Sequence, residues 1–154
     1  MSKSSNTSVL GCLYLVPNTL GEEDRVTQLS RVIPPDALCQ MASLKNWIVE
    51  DAKTARALLN AVNQITPLSH PLQSMQMNEW RGPQSKNKTG LKPHELLKPL
   101  IQGEDVGLMS EAGVPGVADP GAEIINMAHH LGARVKPLVG PSSILLGLMA
   151  SGLN

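Results

Sequence analysis

The chain has 154 residues, 42% of them hydrophobic, and 13 basic residues against 13 acidic ones give a formal net charge of zero. That length suits one domain with a core of its own, and the balanced charge excludes the strongly basic footprint of a domain that grips nucleic-acid backbone by charge alone. Aromatic content of 2%, with no phenylalanine, excludes a base-stacking platform for single strands.

The predicted elements alternate along the chain. Residues 1–8, MSKSSNTS, form a polar tail expected to be disordered, with no signal-peptide hydrophobic stretch. Residues 9–16, VLGCLYLV, are a short apolar run ended by Pro17 and Asn18 and read as a buried strand. Residues 22–32 read as a short helix stopped by Pro34 and Pro35, and residues 47–49 as a second strand. Over 50–62, Ala52, Ala55, Leu58, Leu59 and Val62 recur at helical spacing behind an acidic start. Residues 71–77 alternate as a third strand. Residues 83–92, PQSKNKTGLK, are polar, basic and rich in turn formers, and predict a mobile loop. A helix over 94–102 is stopped by Gly103.

A fourth strand is predicted over 106–110, followed by Asp119 as helix N-cap, Pro120 at the first helical position, a helix over 121–131 and Gly132 as its stop. A fifth strand spans 135–139. Residues 140–143, GPSS, open a last helix over 144–150, closed by Gly152. This alternation predicts an α/β fold: a mostly parallel five-stranded sheet, helices on both faces, right-handed crossovers. The expected core is Leu13, Leu15, Ile48, Leu58, Val106, Leu108, Ile124, Ile125, Val135, Leu138 and Leu145.

Cys12 and Cys39 are the two cysteines, without a CxxC, so neither a disulfide framework nor a zinc knuckle is predicted, and Cys12 reads as a small core residue. His70, His94, His129 and His130 lack metal-ligand spacing, and no metal is expected. No apolar run approaches the ~20 residues of a membrane span. A reducing, cytoplasmic setting is the expectation, with no membrane partner.

The stretch 109–121, MSEAGVPGVADPG, combines three glycines and two prolines directly after an apolar strand. In open α/β sheets ligands bind beyond the carboxyl ends of the strands, often at helix N-termini. Residues 113–121 and 140–143 both fall there, and because they follow consecutive strands they are predicted to lie side by side. The plainer reading makes both ordinary strand-to-helix turns. Neither GxGxxG nor GxxxxGK[ST] is present, which excludes the dinucleotide fingerprint and the P-loop.

An ordered set of motifs resembles the tetrapyrrole methylase superfamily, and most of all its branch of small-subunit ribosomal RNA cytidine 2′-O-methyltransferases. The residues that carry the resemblance are Ser110-Glu111-Ala112-Gly113-Val114-Pro115, Asp119-Pro120-Gly121, Val139-Gly140-Pro141-Ser142 and Ser151-Gly152-Leu153. Upstream, LYLVPNTLGE is similar to the family's first strand and loop, VEDAKTARALL to its acidic helix start, and Asn78-Glu79 to an asparagine-glutamate pair after the third strand. The chain departs from the pattern at Glu111, where the family has aspartate, at Val114, where it has threonine, and at Ala52-Lys53, with Arg56 a possible substitute for the family's arginine.

The resemblance implies an S-adenosylmethionine-dependent methyltransferase, a homodimer, and ribosomal RNA ribose as substrate. A tetrapyrrole or other small molecule, or a non-catalytic cofactor-binding or dimerisation module, are the alternatives. Carried over residue by residue, the cofactor contacts are Pro17, Ser110, Glu111, Ala112, Gly113, Val114, Pro115, Asp119, Pro120, Gly140, Pro141, Ser142 and Ser143. It further implies that residues 9–141 form an amino-terminal domain and that 142–154 lead toward a second domain of roughly 80–120 residues that completes the cleft. The isolated chain is then expected to bind the cofactor weakly. Methyl transfer to a ribose hydroxyl needs a proton acceptor, for which Glu111, Glu79, Asp51 and Glu50 are the candidates. Arg81, Lys86, Lys88 and Lys92 form the best local basic cluster, either for RNA phosphates or simply solvated.

Overall fold

A computed structural model describes residues 8–21, 24–85 and 90–153. The expectations for the tail before residue 8, and for Glu22, Lys86 and Lys88, lie outside the described residues. Five strands, β1 (Cys12–Val16), β2 (Asn46–Val49), β3 (Gln76–Glu79), β4 (Val106–Met109) and β5 (Arg134–Pro137), pair in the order β3-β2-β4-β1-β5. Every pairing is parallel. Of the inner strands, β2 and β4 are buried throughout, while β1, beside the edge strand β5, is buried only in part.

Helices α1 (Arg25–Val32), α2 (Pro35–Ser43) and α3 (Ala52–Ile65) pack with Val16, Trp47, Val49 and Met109 on one face. On the other, α4 (Pro93–Leu96), α5 (Lys98–Ile101) and α6 (Gly121–His130) pack with Leu13, Ile48, Val106 and Leu108. The chain moves toward the β3 edge through the first set and returns toward β5 through the second, which is what crossovers of one hand require.

Local chemistry explains the elements and the departures from expectation. Asp51 caps α3 by accepting the Thr54 amide at 2.8 Å, and Ala55, Leu58, Leu59 and Val62 form its buried stripe. The Pro34-Pro35 pair ends α1 as predicted, but Pro35 also takes the first position of α2, a helix the sequence reading missed. The third strand lies later than predicted, at Gln76–Glu79, because Leu72–Ser74 coil into a 3-10 turn behind Pro71. Asn78 and Glu79 therefore belong to the strand itself. The helix predicted over 94–102 is two four-residue helices broken at Leu97, where Pro99 cannot continue the amide ladder. In the core, Gly107 is required because a Cβ there would come within 2.6 Å of the Trp47 ring.

Leu13, Ile48, Leu58, Val106, Leu108 and Ile124 are buried as expected. Leu15, Ile125, Val135 and Leu138 are half-buried. Leu145 is a correction: it is 60% exposed, because α7 (Ser143–Ser151) buries none of its residues. Cys12 is likewise half-buried.

Candidate functional site

The strand ends define one rim. Met109 is in register with both Val16 and Val49, and Val49 with Glu79. The residues that follow each of them therefore emerge at one level. β1 and β4 are neighbours, yet the chain leaves β1 toward the α1 face and leaves β4 toward the α6 face. This divergence is a topological switch point, where a crevice opens beyond the carboxyl ends of a parallel sheet.

The two glycine-rich loops do not follow neighbouring strands. β1 stands between β4 and β5, which corrects the expected side-by-side placement. The loops meet nonetheless, through the loop after β1. A Cβ on Gly140 would overlap the Pro17 ring, and one on Gly113 would sit 3.5 Å from the Pro141 carbonyl. Asn18 donates its backbone N–H to the Gly113 carbonyl at 2.7 Å. Its side-chain Nδ2 donates to the carbonyls of Ser110 and Glu111 at 3.2 and 2.8 Å. Pro17, Gly113, Pro115 and Ser142 are buried, Ala112 and Ser143 exposed, and Val114 and Pro141 intermediate.

Beyond Pro115 the loop turns on Gly116 and Ala118, both at positive φ, 84° and 56°. The Asp119 carboxylate holds this turn, accepting the Gly116 amide at 2.9 Å and the Gly121 amide at 2.7 Å. The helix start lies one residue later than predicted: Pro120, helical in φ and ψ, is the N-cap, and Asp119 just before it holds the Gly121 amide. Trp80 donates from Nε1 to the Pro120 carbonyl at 2.9 Å. Val49, Glu50, Trp80, Ser110, Pro115 and Asp119 border a small cleft beside this turn. Ser142 caps α7 through its Oγ, 3.4 Å from the Leu145 amide, and Ser110 Oγ donates to the Ala112 carbonyl.

The structure separates the four candidate acids. Glu50 accepts the Glu111 amide at 3.0 Å, and Glu79 accepts the Ala52 amide at 3.0 Å. Asp51 caps α3 and pairs with Arg81 at 3.0 Å. The Asp51 carboxyl is held below the usual carboxylate range, first by the Thr54 amide, then by the Thr54 hydroxyl and the Arg81 charge. Among the described residues the exposed Glu111 carboxylate has no hydrogen bond, so it alone of the four is not engaged in holding the fold. Of the basic cluster, Arg81 is anchored to Asp51 and to the Glu50 carbonyl, while Lys92 is exposed at the start of α4. Arg56 and Lys53 are exposed on α3.

Sequence reading missed Asn18 and Trp80. Their signal was faint: a polar residue straight after a buried strand, and a tryptophan beside a turn. Among the described residues no group of three or more His, Cys, Asp or Glu could hold a metal, and no helix is long and apolar enough to cross a membrane.

Fold and rim together define a doubly wound parallel α/β domain with a main-chain-walled crevice at its switch point. The chain is similar to proteins named ribosomal RNA small subunit methyltransferase I. It is 30% identical to that of Bacillus subtilis (strain 168) over 146 residues, covering 95% of this chain and 43% of the relative. It is 45% identical to that of Pseudomonas aeruginosa over 143 residues, covering 93% and 44%. With that of Vibrio cholerae the identity is 30% over 141 residues, covering 92% and 42%. The chain thus spans less than half the length of the curated relatives it matches. No family model matches the chain.

Proposed function

We propose that this chain is the cofactor-binding amino-terminal portion of a cytoplasmic S-adenosylmethionine-dependent methyltransferase of the tetrapyrrole methylase superfamily, acting on a ribose 2′-hydroxyl of small-subunit ribosomal RNA. The observation that carries the reading is the meeting of the loops after β1, β4 and β5 at the switch point. The names of the relatives supply the reaction class.

The crevice fits such a cofactor. Among the described residues the amides of Ala112, Gly113 and Val114 have no hydrogen-bond partner, so they can donate to a carboxylate or a purine ring. Gly113 and Gly140 let the three loops close on one another, since a Cβ on Gly140 would overlap the Pro17 ring and one on Gly113 would meet Leu20 and the Pro141 carbonyl. The cofactor supplies a methyl group already activated on a sulfonium. The residues of this chain then have two tasks: to bind and align, and to exclude water. In this reading Glu111 accepts the hydroxyl proton, supported by a carboxylate that is exposed at the rim and has no hydrogen bond among the described residues.

The reading includes a homodimer, and the exposed apolar side chains of Ile144, Leu145, Leu146, Leu148 and Met149 on α7 offer a surface for a second copy or for the further domain. Calorimetric titration of S-adenosylmethionine and S-adenosylhomocysteine into this chain, and into one extended to the length of its relatives, tests the reading. Binding by the extended protein, with methylation of small-subunit ribosomal RNA lost in Glu111→Gln, is the expected result. No binding by either form would overturn it.

A further inference from the structure

We propose that Asn18 and Glu50 are positioning residues that grip the backbone of Glu111 from opposite sides, holding the loop amides at the crevice and the Glu111 carboxylate clear of the fold; the role of that loop rests on the cofactor reading above. The Glu111 carbonyl accepts from Asn18 Nδ2 at 2.8 Å, and the Glu111 N–H donates to Glu50 Oε2 at 3.0 Å. Both clamps come from other strands: Asn18 follows β1 and Glu50 follows β2, the two neighbours of β4 in the sheet.

Each clamp is itself fixed. Asn18 is 1% exposed and its amide is held at both ends, with Nδ2 on two carbonyls and Oδ1 taking the Thr19 amide at 2.7 Å. Glu50 donates its N–H to the Met109 carbonyl, and its own carbonyl accepts from Arg81 Nε. The loop they hold has little stiffness of its own, with Gly113 at φ 68° and Gly116 at φ 84°. Its shape must therefore be imposed by partners. Through Oε2 the Glu50 carboxylate is committed to holding Glu111, so its first role in this arrangement is positioning.

The test follows amide exchange at Glu111 in the ¹⁵N-labelled chain. Alongside it, S-adenosylhomocysteine affinity is measured in whichever length of the protein binds as wild type. Glu50→Ala should speed Glu111 exchange about tenfold or more and weaken binding about tenfold, the range for losing a hydrogen bond to a charged group. Glu50→Gln keeps an acceptor oxygen and should restore both to within about threefold. Asn18→Asp keeps the acceptor, loses the donor, and should weaken binding in a protein that still folds. Unchanged Glu111 exchange in Glu50→Ala, or a glutamine variant no better than alanine, overturns the proposal. If no wild-type form binds S-adenosylhomocysteine, the cofactor reading falls, and the exchange contrast between Glu50→Ala and Glu50→Gln decides the clamp by itself.

Discussion

Trp80 Nε1 donates to the Pro120 carbonyl at 2.9 Å, so the residue after β3 ties down the start of α6, 40 positions along the chain. Trp80 is 5% exposed, so its indole N–H would be left without a partner if this bond were lost. Trp80→Phe keeps most of the ring and removes only the donor. It should cost about 1 to 2 kcal/mol in urea unfolding. A variant as stable as the wild type would show that water replaces the tryptophan.

Gly140 packs where any Cβ would enter the Pro17 ring. The obstacle is a rigid ring and its backbone, so the strain cannot be relieved by rotating a side chain. Gly140→Ala should destabilise the domain by about 1 to 3 kcal/mol. It should also weaken S-adenosylhomocysteine binding more than the equivalent change at Gly147, where a Cβ meets nothing within 4 Å. Equal effects at the two positions would count against a junction of loops at Pro17.

Ala118 is the one non-glycine with positive φ among the described residues, at 56°. It lies in the turn that Asp119 organises, and an L-residue there costs about 1 kcal/mol. Ala118→Gly should therefore raise stability by roughly that cost, less the entropy glycine gains in the unfolded chain. Thermal unfolding checks it, and a fall in stability would mean the alanine methyl makes contacts that outweigh the backbone strain.

Asp51 titrates lower in the folded chain than in the unfolded one, chiefly through the Thr54 amide. Its contribution is therefore complete above the unfolded carboxylate value of about 3.9 and is lost as pH falls through the lower folded value. The Asp24 carboxyl, lowered by the Thr27 hydroxyl, acts in the same direction. Asp51→Asn should flatten, without abolishing, the decline of melting temperature below about pH 4. A slope identical to the wild type would place the acid sensitivity elsewhere.

Burial pushes the Cys12 thiol up, and the neighbouring Asp105 charge pushes it further. Less thiolate and less access both slow attack on disulfide reagents. Cys39 is exposed on α2. Titration with a chromogenic disulfide at neutral pH should give a fast phase lost in Cys39→Ser and a slow phase lost in Cys12→Ser, and the reverse assignment would contradict the placement of β1.

Much of this protein was legible locally. Apolar runs located β1, β2 and β4, because inner strands of a parallel sheet are mostly apolar, although β4 ends at Met109, one residue before the predicted limit at Ser110. Asp119, Ser142, Gly132 and Gly152 marked helix ends, because caps act on amides and carbonyls only a few residues away. The second proline of the Pro34-Pro35 pair was misread since proline ends one helix and begins another by the same fixed φ.

The α/β alternation and the bareness of the two glycine-rich loops were thus settled by neighbours along the chain. Three further features needed the folded arrangement: that β1 lies between β4 and β5, that Pro17 joins the two loops, and that Glu50, Asp51 and Glu79 are bound into the fold while Glu111 is not. The reason is separation: Glu50 meets the Glu111 amide across 61 positions, and Asn18 meets its carbonyl across 93. Partners so distant are chosen by strand order and register, which local periodicity does not encode.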